Sequence, residues 1–273
     1  MLGLGIGSFI ETSDFAVKSV GFTNSKSLKT GTNGGVNSYA VSTNYTTQNT
    51  FKDSHTFTCW MKLTTNGIQT QIPLGIFAGS FLEAVYFAVN ASGIAIATVG
   101  SNNDFHTVQS NAAFESSQAA HDWAHFAVVT TRTEGASNAL SSVIYRNAQV
   151  VASTQTATIT DSNLQNLNLN GADPYIGAFN YEPLGGVPVG GSTEDDLYDE
   201  MSLHKAALSS DAISEIYNDG VPINLALGGT HFNASDLEFY YRFEDNLNDS
   251  SGNGHTADEL NSGSGSGFST DTP

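Results

Sequence analysis

Cysteine is nearly absent. Cys59 stands alone in 273 residues, so no internal disulfide can form and no thiolate cluster can hold a metal. Positive charge is almost as scarce: 9 lysines and arginines face 27 aspartates and glutamates, a net charge of -18. So acidic a chain repels phosphate backbones and anionic bilayers, and nucleic acid is not an expected partner. Long apolar runs are missing too. The opening Met1-Leu2-Gly3-Leu4-Gly5-Ile6-Gly7-Ser8-Phe9-Ile10 is too short to span a bilayer, and it lacks a basic start and a cleavage pattern before Glu11 and Asp14. It therefore predicts neither membrane insertion nor an ordinary secretion signal. Its glycines do not form a nucleotide loop, because no strand precedes them and no helical pattern follows. Two readings stay open for it: the first strand of the domain, or an apolar arm that packs on a neighbouring subunit.

What is present is alternation. With 39% hydrophobic and 10% aromatic residues, the chain can bury a sizeable core as one domain. Aromatic and β-branched residues alternate with polar ones over 36–41, 56–63, 85–89 and 94–99, the period of half-buried strands. The same pattern returns over 123–129, 142–146 and 149–152. Asn90-Ala91-Ser92-Gly93 and Asn147-Ala148 supply turn chemistry between neighbouring runs. Leu197, Met201 and Leu203 alternate along a further strand, and Leu208, Ile213, Ile216 and Tyr217 then recur at helical spacing behind a serine. This predicts one short helix near 209–218, closed by Asn218-Asp219-Gly220-Val221-Pro222. Short strands separated by turns indicate a sandwich or jelly roll. Cys59, Trp60 and Trp123 fall inside these strands and read as packing residues.

The order of these segments carries a resemblance. Phe57-Thr58-Cys59-Trp60-Met61-Lys62, Trp123-Ala124-His125-Phe126-Ala127-Val128, Ile144-Tyr145-Arg146-Asn147-Ala148-Gln149-Val150-Val151 and Tyr175-Ile176-Gly177-Ala178 resemble successive strands of laminin-G-like, concanavalin-A-like jelly rolls. Tyr198-Asp199-Glu200-Met201, running on to Glu215-Ile216-Tyr217, is similar to the strand and helix that follow in that family. The resemblance implies an all-β sandwich of two antiparallel sheets, with a segment at 1–26, a jelly roll over 27–228 and a completing strand and loop over 229–273. Phe239-Tyr240-Tyr241-Arg242-Phe243-Glu244 and Asp249-Ser250-Ser251-Gly252-Asn253-Gly254-His255 look like the family's opening strand and loop moved to the other end of the chain. That transposition implies that the last strand lies beside the first. The C-terminal part and the glycine-rich start also resemble virion structural proteins of marine, cyanophage-like tailed bacteriophages.

Candidate chemistry follows from spacing. Asp249, Asn253 and nearby Asp245 offer alternating oxygens before a glycine, as hard-cation loops do, but Glu259 is one residue early for an EF-hand. Asp195, Asp196 and Asp199 form a second acidic cluster. Ca²⁺ is the expected ion for both, against the plainer reading of Asx-rich turns. A retaining glycosidase needs two carboxylates about 5–5.5 Å apart. Asp196 and Glu200 share strand parity, but Tyr198 lies between them, and the register does not favour catalysis. His121 and His125 sit four apart on a strand rather than a helix, so a hydrogen-bonded structural role is expected for His125. No nucleophile elbow is present.

Sugar binding pairs aromatic faces with polar side chains, which points to Tyr181 and Tyr198 beside the glycine-rich stretch 179–193, read as a loop. The combined expectation is a non-enzymatic virion component, a head decoration, tail or fibre protein present in many copies. It would contact other virion proteins and present loops to host-surface glycans. The alternatives are a soluble calcium-dependent lectin module and, third, a jelly-roll glycosidase.

Overall fold

The computed structural model describes residues 22–30, 39–41, 49–63, 71–78, 83–90, 92–101, 104–113, 122–157, 159–169, 174–180, 188–190, 196–259 and 267–273. In chain order the strands begin with β1 (Ser27–Lys29), β2 (Tyr39–Val41), β3 (His55–Lys62), β4 (Gln71–Phe77), β5 (Ala84–Val89) and β6 (Ala95–Ser101). They continue with β7 (Asp104–Ser110), β8 (Ala124–Arg132), β9 (Leu140–Arg146), β10 (Gln149–Val151), β11 (Ser153–Ala157) and β12 (Pro174–Ile176). β13 (Ala178–Asn180), β14 (Pro188–Gly190), β15 (Leu197–His204), β16 (Leu237–Tyr241), β17 (Ala257–Glu259) and β18 (Gly267–Ser269) complete the set. Short helices α1 (Asn49–Lys52) and α2 (Asp161–Gln165) accompany the expected α3 (Ser210–Tyr217), so helical structure is not confined to the one place where periodicity announced it. Among the described residues no helix is long and apolar enough to cross a membrane.

Two antiparallel sheets form the sandwich. Sheet I runs β10-β9-β8-β3-β15-β1-β18, with β16 also on β15, and sheet II runs β11-β7-β6-β5-β4-β12-β2-β17. β1 lies against the start of β15, where Leu28 faces Tyr198, while β16 lies against its end, where Leu203 faces Phe239. β18 pairs with β1 and sets Phe268 opposite Leu28. The 179–193 stretch is not all loop: β13 and β14 pair within it as a hairpin.

The facing sides enclose one core, which includes Leu28, Phe57, Met61, Leu74, Phe87, Val99, Phe126, Met201 and Phe239. Phe57 of sheet I stacks on Phe87 of sheet II at 4.2 Å between centroids. A second cluster lies on the outer side of sheet I. There Ala212, Ile213 and Ile216 of α3, with Ile223, Leu225 and Phe232, cover Ala127, Val129, Tyr145, Leu237 and Tyr240. α3 starts because the Ser209 hydroxyl accepts the Ala212 N–H at 3.2 Å, with Asp211 in the first turn facing the positive end of the helix dipole. It stops at Asn218 and Asp219, both left-handed at φ 45° and 53°, a conformation asparagine and aspartate tolerate better than most side chains. Burying each isoleucine of its inner face contributes roughly 2 kcal/mol.

One expectation about strand phase needs correction. The alternation of Leu197, Met201 and Leu203 places all three on one face, but the core takes Tyr198, Met201 and Leu203. A bulge lies between Asp199 and Ser202, where β15 slips in register against β3, and Glu200 adopts φ 44°. The extra residue inverts the alternation for everything before it. Trp123 also departs from the reading as a core residue. It is half-buried and its indole N–H donates to Asp271 at 2.8 Å.

Candidate functional site

The acidic strand is closed to outside ligands. Asp196, Tyr198 and Asp199 are fully buried, and Glu200 is 3% exposed. The Tyr240 hydroxyl donates to Glu200 Oε2, and Arg242 Nε lies 3.6 Å from Oε1. Burial pushes the Glu200 carboxyl up to about 8, although the Tyr240 hydrogen bond and the Arg242 charge both pull it down. Asp199 is raised well above the usual carboxylate range by burial and then by the neighbouring Glu200. Neither Asp196 nor Glu200 can reach a glycosidic bond outside the fold, which removes the carboxylate pair weighed for a glycosidase. Tyr198, expected to meet a glycan, instead has its hydroxyl buried without a hydrogen-bond partner.

The second acidic group is a turn. Asp249 Oδ1 accepts the N–H groups of Tyr240 at 3.0 Å and Ser251 at 2.9 Å. Its Oδ2 accepts the Ser251 hydroxyl at 2.8 Å and the His255 N–H at 3.0 Å. Asn253 turns its amide to the carbonyls of Leu237 and Glu238, and Asp245 is exposed and pairs with Lys26 at 3.4 Å. Oxygens already occupied by N–H and O–H donors do not fit a calcium ion, and the Asx-turn reading prevails here. Among the described residues no three His, Cys, Asp or Glu side chains gather as a metal centre. Tyr181, Asp195 and His121 lie outside the described residues.

The histidines are structural without all being bonded. His125 is fully buried between Trp60 and Tyr217, 5.3 Å and 6.1 Å between centroids. Neither of its ring nitrogens has a hydrogen-bond partner, contrary to the bonded role expected from sequence. Burial lowers it to about 3, so the ring stays neutral. His204 Nε2 meets Ser202 Oγ at 3.1 Å, and that hydroxyl meets Thr58 Oγ1 at 2.7 Å. This serine-histidine contact lies beneath the α3 layer and has no access to a substrate.

Among the described residues two surfaces stand out. The first is the outer face of sheet II, which no apolar cluster of described residues covers. Cross-strand register sets Tyr86 between Gly75 and Thr98, and Thr98 beside Thr107, with the two threonine hydroxyls 3.1 Å apart. The next rows hold Ala84, Gly100 and Phe105, then Ala88, Ile96 and Gln109. Tyr86, Ile96, Phe105, Thr107 and Gln109 are half-exposed above a floor of buried Ala84, Ala88 and Gly100. Phe105 lies flat on the sheet because position 100 has no side chain: a Cβ there would sit 2.4 Å from the ring. The face combines apolar rings with hydroxyl and amide groups.

The second surface is a cleft of about 350 Å³ beside α3, lined by Asp211, Ser214, Glu215, Asn218, Asp219, Thr230 and His231. Glu215 fixes its wall by accepting the N–H groups of Thr230 and His231, each at 2.8 Å. The cleft is lined by polar and acidic residue types, and no Phe, Tyr or Trp is among them. Sequence reasoning missed the sheet II face because 104–110 was not recognised as a strand. The signal was there: Phe105, Thr107 and Gln109 alternate with His106, Val108 and Ser110.

Comparison with known proteins agrees with the architecture. No protein-family model matches the chain, and no curated protein matches it by sequence. Among solved structures, a Bacteroides ovatus protein assigned provisionally to carbohydrate binding superposes with a TM-score of 0.53 at 13% identity, over 91% of this chain and 60% of its own. A Ruminococcus gnavus sialidase CBM40 module bound to α2,6-sialyllactose gives 0.46 at 16% identity, over 70% and 97%. A heptameric pentraxin of Limulus polyphemus gives 0.44 at 10%, over 71% and 82%. The chain is a lectin-like jelly-roll β-sandwich. At these identities the likeness establishes the fold and nothing narrower.

Proposed function

We propose that this chain is a non-catalytic carbohydrate-binding module and that the outer face of sheet II is its glycan-binding surface. The observation that carries the reading is the pairing on one partly exposed sheet face of Tyr86 and Phe105 with Thr107 and Gln109. Sugar C–H faces pack on apolar rings, while hydroxyls exchange hydrogen bonds with hydroxyl and amide side chains. The buried state of Asp196 and Glu200 supports binding without cleavage.

A glycan array followed by calorimetry on its best ligand tests this. Tyr86→Ala and Phe105→Ala are each expected to weaken binding about tenfold, since losing one ring contact removes about 1.4 kcal/mol. Binding that survives both substitutions but is lost in Asp219→Ala or His231→Ala would place the site in the cleft instead. Display on a virion surface, carried by the resemblance of the C-terminal part, is a proposal about where such a module works. Stoichiometric co-purification with phage particles would support it.

A further inference from the structure

The sandwich has two long edges, and they differ in charge. At one edge β17 carries Asp258 and Glu259, and Asp271, just after β18, pairs with Lys62 at 2.7 Å. At the other, β10 ends sheet I and β11 ends sheet II, and among the described residues neither has a strand on its outer side. The two strands form one nearly continuous run over residues 149–157, Gln-Val-Val-Ala-Ser-Thr-Gln-Thr-Ala, with no charged residue. No acidic residue occurs from 135 to 160, and Arg146 is the one basic residue in that stretch. Edge strands of monomeric proteins are usually protected by charge, proline or a covering segment, because unpaired N–H and C=O groups recruit another strand. Here Gln149, Val150, Thr154 and Gln155 are exposed, Val150 to 64%. Val143 on the neighbouring strand β9 is 36% exposed.

We propose that the β10–β11 edge pairs antiparallel with the same edge of a second copy of this chain, extending both sheets across a two-fold axis. Electrostatics selects this edge. Two molecules of net charge -18 repel over most of their surfaces, and the approach is least opposed where both present an uncharged strand. A two-fold axis sets residue i of the strand against residue j and j against i, so uncharged side chains meet only uncharged side chains and each unpaired backbone group finds its complement. Nine residues span about 30 Å. An interface of that length falls at the small end of specific contacts, which corresponds to a dissociation constant on the order of micromolar. Salt strengthens such a dimer by screening the net repulsion, opposite to its effect on an interface held by ion pairs.

Sedimentation velocity on the full chain tests the proposal. At about 100 µM the expected species is twice the 28.8 kDa protomer, dissociating toward about 1 µM and associating more tightly as salt rises from about 0.05 to about 0.5 M. Val150→Asp and Thr154→Asp, both at exposed positions, are each expected to weaken association at least about tenfold by placing a carboxylate on the uncharged edge of each of two acidic molecules. Asp258→Ala, at the opposite edge, leaves it unchanged. In the unaltered protein, amide exchange over residues 149–157 slows as concentration rises, a readout that depends on no variant. A monomer at about 100 µM in both salts, or a dimer that persists undiminished in the Val150→Asp/Thr154→Asp double variant, overturns the proposal. So does exchange over 149–157 that is independent of concentration. The result is independent of whether the sheet II face binds a glycan.

Discussion

On the outer side of sheet I, His125, His204, Ser202 and Tyr240 lie buried beneath the α3 layer, while on the outer side of sheet II, Tyr86, Phe105, Thr107 and Gln109 reach the surface. Both faces carry aromatic and polar side chains. What separates them is the segment from Lys205 to Asp236, which folds back over sheet I alone. Covered polar groups perturb ionisation and stability, because the charged form loses its hydration. Those on the sheet II face are partly exposed and keep some of their solvent. The same residue types therefore become structure on one sheet and a candidate surface on the other.

Acid should affect the covered groups most. Burial lowers His55 and His106 to about 4, and His125 and His204 to about 3, from an ordinary 6.5. The unfolded chain takes up these protons near 6.5 and the folded chain only near 3 to 4, so stability is full above about pH 6.5 and is lost as pH falls below it. Glu200 works in the other direction. Held up at about 8 against an ordinary 4.5, its contribution is present below 4.5 and is lost as pH rises through 8, and Asp199 acts in the same sense. Four imidazoles outweigh two carboxyls, and the net is a loss of stability between pH 7 and pH 5. Urea midpoints at the two pH values measure it, and equal midpoints would mean that the imidazoles do not outweigh the carboxyls.

Phe87 and Tyr86 are neighbours on β5 with opposite orientations. Phe87→Ala removes the ring that stacks on Phe57 across the sandwich and should destabilise by about 3–5 kcal/mol. Tyr86→Ala, on the open face, should cost under about 1 kcal/mol while abolishing most glycan affinity. Thermal denaturation of both variants sharpens the contrast, and similar losses would break it. Ser209→Ala should cost about 1 kcal/mol by removing the cap that seats the covering helix, read from the shift in urea midpoint. The smallest effect is expected from Tyr198→Phe. Its hydroxyl is buried without a partner, so removing it is neutral or stabilises by up to about 1 kcal/mol. A clear destabilisation would show that a water or another group satisfies that hydroxyl.

Legibility in the sequence followed locality. The strand at Thr56, Phe57, Thr58, Cys59 and Trp60 was readable because alternation is set by neighbours. α3 was readable because its cap, its apolar spacing and its stop all lie within about ten residues. Asn147 and Ala148, standing where the resembling family has an aspartate and a glycine, take φ 50° and 59° and close the expected β9–β10 hairpin. The site residues were less legible. Asp249 looked like a cation ligand because an oxygen-rich loop before glycine has the same composition whether its oxygens face an ion or its own N–H groups. Only the donors of Tyr240, Ser251 and His255 decide between the two.

The sequence by itself determined that this chain is a sandwich of short strands with a capped helix near 209–218, since period and caps are properties of adjacent residues. Tertiary structure alone decided which side chains the solvent meets. One added residue at Glu200 reverses the phase of β15 and sends Tyr198 into the core, and one covering segment seals sheet I while no apolar cluster of described residues covers the outer side of sheet II. Both outcomes depend on how strands that are distant in sequence register against one another, and the energies that fix register come from pairing and burial across the sandwich rather than from any local stretch of chain.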